Sequence, residues 1–148
     1  MNSHLTFSSL DLNQLNRDFN ADLDGAGATV TFTGFVRDFN AKGKLDGLEL
    51  EHYPGITEKA LQELASKSRA KFNCLRLVVV HRVGKIENHE PIVWVGAASH
   101  HRQSAFDAAM YTMDVLKQSV PLWKKEWMDG KASWVDAKDS DKVAASRW

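Results

Sequence analysis

The sequence predicts an α+β fold, with a largely antiparallel mixed sheet packed by helices. Three observations carry that prediction. Stretches rich in β-branched and aromatic residues, ATVTFTGFVR (28–37), LRLVVVHRV (75–83) and PIVWVGAA (91–98), read as strands. Apolar residues at helical spacing mark other segments near 11–21, 57–72 and 102–117. The two kinds mix without the regular alternation of a doubly wound parallel sheet. No internal repeat, linker or low-complexity tract divides the 148 residues, so one domain over 1–148 is expected.

Composition narrows the function classes. Hydrophobic residues make up 43% and charged residues 26%, the balance of a soluble globular chain. Nineteen Lys and Arg offset nineteen Asp and Glu. A net charge of zero argues against a chain whose main task is coating nucleic acid or anionic membrane, while leaving room for a local basic patch. Cys74 is the only cysteine, so neither an intramolecular disulfide nor a cysteine-based zinc site is available. The opening MNSHLTFSSLDLN lacks the basic start and apolar run of a signal peptide, and no apolar stretch is long enough to cross a bilayer. A cytoplasmic protein is expected.

Taken in order, 5–9 alternates weakly as a short edge strand. The segment 11–21 places Leu12, Leu15 and Phe19 on one helical face, with Ser9 or Asp11 as N-cap. After a turn at Asp24-Gly25, the strand 28–37 carries Gly34, which signals a bulge or a close backbone approach. The polar, glycine-punctuated 38–47 reads as a mobile surface loop, and 47–53 as a second strand ended by Pro54-Gly55. Thr57 is the expected cap of a helix to about Phe72, with Ile56, Ala60, Leu61, Leu64 and Ala65 inward. The strongest strand, 75–83, is closed by Gly84. A connection over 85–90 leads into its neighbour, 91–98. Ser99 is the expected cap of a helix from His101 or Arg102 to Lys117, with Ala105, Ala109, Met113 and Leu116 inward and Phe106 and Met110 beside them. Beyond Pro121, LWKKEWM reads as a strand with Lys124 and Glu126 on one face and Lys125 between Trp123 and Trp127 on the other. Asp129-Gly130 turns into a short last strand at 132–135, and a polar tail ends in Arg147-Trp148.

Chemistry concentrates in KQSVPLWKKE, 117–126. Proline has no N–H and disfavours the helical conformation in the residue before it, so the helix ends before Pro121. Lys117 then sits in a last helical turn and Lys124 and Lys125 past the break. Amines brought together across a bend beside large aromatics suit an anion, or proton transfer if burial lowers a lysine pKa. The stretch also fits a structural role, with Lys117 complementing the helix dipole and the tryptophans in the core. A second candidate is Ser99-His100-His101-Arg102, where helix-start N–H groups, a forked guanidinium and an imidazole favour a phosphate or carboxylate. A third is Arg37, at a strand end beside a flexible loop. No HExxH, HxH, GxGxxG, P-loop or GxSxG pattern is present, and Cys74 reads as a buried thiol.

Together, TFTGFVR (31–37), LEHYPGITEKAL (50–61), HRVG (81–84), SHHRQSAFDA (99–108), LKQSVPLWKKE (116–126), SWVDAKDSD and the closing Arg-Trp resemble the large, catalytic subunit of molybdopterin synthase. The resemblance covers nearly all of the chain after about residue 25, with the motifs in the same order. It implies a homodimer in which each copy binds a small ubiquitin-like subunit carrying a C-terminal thiocarboxylate, giving a heterotetramer. It implies sulfur transfer to cyclic pyranopterin monophosphate, forming the molybdopterin dithiolene, with no metal or organic cofactor. Matched residue by residue, Lys117 and Lys124 are the catalytic lysines. Phe35, Val36 and Arg37, the pair His101 and Arg102, and Lys125 and Glu126 are the substrate-binding residues. The rival reading is a non-catalytic module that binds a phosphorylated ligand or protein tail in a basic groove. Single-stranded nucleic-acid binding through Trp and Lys suits the 123–127 face but not the neutral charge.

Overall fold

The structure is a computed structural model that describes residues 1–136 and 139–148; Ala137 and Lys138, within the SWVDAKDSD segment, lie outside the described residues. In chain order the first half holds β1 (His4–Thr6), α1 (Leu12–Asn20), β2 (Ala28–Phe35), β3 (Phe39–Asn40), β4 (Gly43–Lys44), β5 (Gly47–His52) and α2 (Ile56–Lys71). The second half holds β6 (Arg76–Arg82), β7 (Gly84–Ile86), β8 (Pro91–Ser99), α3 (Arg102–Ser119), β9 (Leu122–Met128), β10 (Lys131–Val135) and α4 (Asp139–Ala145). One sheet has the order β1-β6-β8-β2 and a second β10-β9-β5-β7, while β3 and β4 pair as a small hairpin. Among the described residues only β1 with β6 is parallel, so the antiparallel α+β expectation holds.

The apolar runs of β6 and β8 follow from cover on both faces. One face of the strands presents Val78, Val80, Trp94 and Ala98 to α1, where Phe19 meets Trp94 edge to face with centroids 5.4 Å apart. Residues of the opposite parity, Leu77, Val79, Val93, Val95 and Ala97, pack against Leu61 and Leu64 of α2 and Leu116 of α3. Each such Leu or Val side chain contributes about 1.5–3 kcal/mol when fully buried. Buried Ser68 and Thr112 share a 2.7 Å hydrogen bond where α2 meets α3. A smaller core of Val36, Leu48, Leu50 and Ile86 underlies the second sheet, and Ile92 touches both cores.

Several local expectations are corrected. Gly55, at φ 84°, is the N-cap of α2, and the Glu58 carboxylate accepts its N–H. Thr57 lies inside the helix; its hydroxyl accepts from the Tyr53 N–H at 2.7 Å and donates to the Pro121 carbonyl at 2.8 Å. The buried stripe therefore runs Thr57, Leu61, Leu64, Ala65, Ser68, and Ile56 is exposed. Ser99 is the last residue of β8, with its carbonyl taken by the Gly27 N–H, so His101 becomes the N-cap of α3. The inward phase of α3 is Ala105, Ala108, Ala109, Thr112 and Leu116, which turns Phe106 and Met110 to solvent. The 38–47 stretch is not a loose loop but the β3–β4 hairpin, held by buried Leu45 and by Asn40. Within 85–90, Lys85 and Ile86 belong to β7, which follows β6 directly and pairs with β5 at the edge of the second sheet. The tail forms α4 and closes on α3: Arg147 and the Trp148 indole both donate to Asp114 at 2.8 Å, and the Trp148 ring meets Phe72 and Tyr111. Among the described residues no helix is long and apolar enough to cross a membrane.

Candidate active site

The break at Pro121 occurs as expected. Val120 leaves α3 in extended geometry, its N–H still on the Leu116 carbonyl, and β9 starts at Leu122. Lys117 emerges from the last helical turn with Nζ 3.2 Å from Asp141 Oδ1 of α4, and its side chain is 49% exposed. Lys124, in β9, points its Nζ at Glu126 Oε1, 3.5 Å away on the same strand face. Glu126 is buried, and its second oxygen, Oε2, accepts from Asn40 Nδ2 at 2.6 Å. That bond brings the hairpin after Arg37 against β9. The Arg37 guanidinium lies 5.6 Å over the Phe39 ring, and the side chain is exposed. Arg37, Lys124 and Glu126 thus belong to one corner of the molecule, where the end of β2 meets the second sheet.

Val36 is placed differently from expectation, and Lys125 takes the expected strand face but a different aromatic partner. Val36 is in the small core, and both its backbone groups are used, the N–H by the Glu90 carbonyl and the carbonyl by the His89 N–H. It cannot present a side chain to a substrate; it turns its neighbours Phe35 and Arg37 outward instead. Lys125 lies on the opposite strand face from Lys124 and Glu126, with Nζ 3.5 Å from Glu51 and 4.5 Å over the ring of Trp134. Trp134 is its partner across the β9–β10 pair, while Trp123 leans toward Tyr53 and Trp127 receives Lys85.

His101 and Arg102 are exposed at the start of α3, and His101 caps nothing with its side chain. In the β2–β8 pair Ala28 opposes Ser99 and Phe35 opposes Pro91. Eight residue steps at about 3.3 Å separate these ends, about 26 Å along the strand. The 18 residues of α3 span a similar length, about 27 Å. One chain therefore holds His101 and Arg102 at one end of the β2–β8–α3 layer and Arg37 at the other, with Lys117 carried away from the pair by the whole helix. Within one chain the His101–Arg102 pair and the lysines therefore lie apart.

Sequence reasoning missed Asn40 and Asp141. Asn40 carried a readable clue, since its Oδ1 accepts the Lys42 N–H at 2.7 Å, the local turn that asparagine favours. Asp141 ends the SWVDAKDSD segment, but its pairing with Lys117 spans 24 residues and no local pattern shows it. A cavity of about 640 Å³ beside β5 and β7, lined by Arg82, Lys85, Glu90 and Trp127, contains none of the candidate residues. Among the described residues no three His, Cys, Asp or Glu side chains are grouped to hold a metal ion.

Known proteins resemble the chain in both sequence and fold. Residues 5–119 match the family described as MoaE protein. The molybdopterin synthase catalytic subunit of Pseudomonas aeruginosa is 51% identical over 124 residues, covering 84% of this chain and 83% of that protein. The solved molybdopterin biosynthesis MoaE protein from Burkholderia ambifaria superposes with a TM-score of 0.84 at 36% identity, covering 100% of this chain and 98% of that one. Molybdopterin synthase from Staphylococcus aureus gives 0.82 at 29% identity, covering 90% and 96%. The chain belongs to the MoaE family.

Proposed function

We propose that the corner holding Arg37, Lys124 and Glu126, together with Lys117 across the Pro121 break, is the sulfur-transfer site of a molybdopterin synthase. Membership of the family makes the chain the catalytic subunit of that enzyme, a sulfurtransferase of molybdenum cofactor biosynthesis. The partner is a small ubiquitin-like subunit whose C-terminal thiocarboxylate delivers sulfur to cyclic pyranopterin monophosphate. The observation that carries the site assignment is the pair of lysines on either side of the Pro121 break, one of them sharing Glu126 with the Arg37 hairpin. Arg37 supplies a fixed donor to the substrate phosphate. Lys117 and Lys124 supply proton transfer and charge stabilisation as sulfur attacks the pterin side chain. Lys125 gives the same region positive charge from the far strand face.

His101 and Arg102 enter this reading from a second copy of the chain. A homodimer would set the α3 start of one copy against the lysine corner of the other and complete the anion site. Cys74 supports a sulfur source on the partner: it is buried, and burial raises its thiol pKa against the opposing charge of Arg69, which disfavours the thiolate. A lone unpaired cysteine also suits a cytoplasmic enzyme.

Lys117→Ala tests the assignment. With thiocarboxylated small subunit and cyclic precursor, dithiolene formation followed by mass spectrometry should fall at least about 100-fold while small-subunit binding persists. Parental turnover in that variant would favour the rival reading, an anion-binding module without catalysis.

A further inference from the structure

We propose, on the reading above, that Asn40 is a positioning residue of the reaction. Its side-chain amide locks the Arg37-bearing hairpin to Glu126 and thereby fixes Lys124 relative to the arginine. Glu126 is 8% exposed and divides its oxygens between two partners, Oε1 to Lys124 Nζ at 3.5 Å and Oε2 to Asn40 Nδ2 at 2.6 Å. A buried carboxylate left half-satisfied is costly, so the two contacts hold each other in place. The amide of Asn40 is used at both ends: Oδ1 takes the Lys42 N–H, which leaves only the NH₂ to face Glu126. A flipped amide would set oxygen against carboxylate and lose the turn.

The hairpin needs such a lock. Its strands are two residues each, and Phe39, Ala41, Lys42, Gly43 and Lys44 are exposed. The stem is held by buried Leu45, whose N–H donates to the Asp38 carbonyl at 2.7 Å. The tip side is held by Asn40. Arg37 stacks on Phe39, the residue just before Asn40, so a hairpin released from β9 would carry the guanidinium away from Lys124.

The test uses the whole synthase with thiocarboxylated small subunit and precursor, at pH 6 to 8.5. Asn40→Ala should lower kcat/KM about tenfold. In a Glu126→Gln background the same change should add little, because the two residues act as a unit. Asn40→Asp keeps the turn to Lys42 but replaces the donor with a second carboxyl. The charged and polar groups facing Glu126 are Lys124 on its own strand and the hairpin amide; its cross-strand partners Leu48 and Ser133 carry no charge. Two carboxyls sharing that place raise each other's proton affinity, and the proton restores a donor. Asn40→Asp should therefore lose more activity at pH 8 than at pH 6, a trend a merely structural residue would not give.

A second readout is independent of turnover: the ¹³C resonance of reductively methylated Lys124, assigned with Lys124→Arg, should shift in both Asn40 variants. An unmoved resonance with parental kcat and KM in Asn40→Ala overturns the proposal, as does an equal loss with and without Glu126. If Asn40→Ala does not fold, the isosteric Asn40→Asp profile decides alone. Parental protein that makes no dithiolene sinks the functional reading instead, while the resonance shift still reports the lock.

Discussion

His81 is enclosed in β6 at 6% exposure, with Nδ1 2.8 Å from the Arg82 carbonyl oxygen. Burial pushes its pKa from 6.5 down to about 4, against the smaller opposing effect of that hydrogen bond. The folded chain therefore keeps a neutral imidazole in a range where the unfolded chain binds a proton. That stabilisation is complete above pH 6.5 and is lost as pH falls from there to about 4. Between pH 7 and pH 5 the loss should be on the order of 2 kcal/mol, from 1.36 kcal/mol per pKa unit. Urea unfolding of the parental chain and of His81→Gln at both values checks it: the parental chain should lose the larger increment, and equal losses would contradict it. At this level the sequence was an uneven guide. Parity along β9 placed Lys124 and Glu126 together correctly, because side chains alternate in any strand. The same parity could not tell Val36 to be core, since that depends on Leu48 and Ile86, which reach it only in the folded chain.

Among the elements, the strands were the most legible, because β6, β8 and β2 combine β-branched composition with helices on the faces they present. Helix starts were the least. Ser99 and Thr57 have good capping chemistry, yet pairing with β2 keeps Ser99 extended and Pro121 claims the Thr57 hydroxyl. Asn40 hints at the turn of the β3–β4 hairpin, but its attachment to β9 was invisible because that bond spans 86 residues. Gly27 shows how closely one such end is set. A Cβ there would stand 2.1 Å from the backbone oxygen of His100, which has no side-chain freedom with which to yield. Gly27→Ala should cost about 3 kcal/mol, measurable as a lowered urea midpoint. It should also displace His100 and with it the start of α3.

For the molecule as a whole, the separation of His101 and Arg102 from the lysines makes a prediction about assembly. If the second copy supplies the anion pair, Lys117→Ala and Arg102→Ala damage different halves of a shared site. Dissociating and re-mixing equal amounts of the two inactive variants should return roughly a quarter of parental activity, because half the dimers are mixed and each mixed dimer keeps one intact site. No recovery, with subunit exchange verified, would place both residues in one chain's site and refute the dimer reading. The C-terminal segment belongs at this level too. It reads as polar tail in the sequence, yet its terminal indole completes a three-ring cluster with Phe72 and Tyr111.

The register shift between Gly34 and Phe35 leaves Ile92 of β8 without a partner on β2, and Ile92 is also the side chain that touches both cores. That coincidence sets where the chain tolerates a change of length. An extra residue in the exposed Asp129–Gly130 turn between β9 and β10 would be absorbed as slack. Losing one at Ile92 would remove the spacer that offsets the two sheets, swinging the lysine-bearing half about the arginine-bearing half with every catalytic side chain still present.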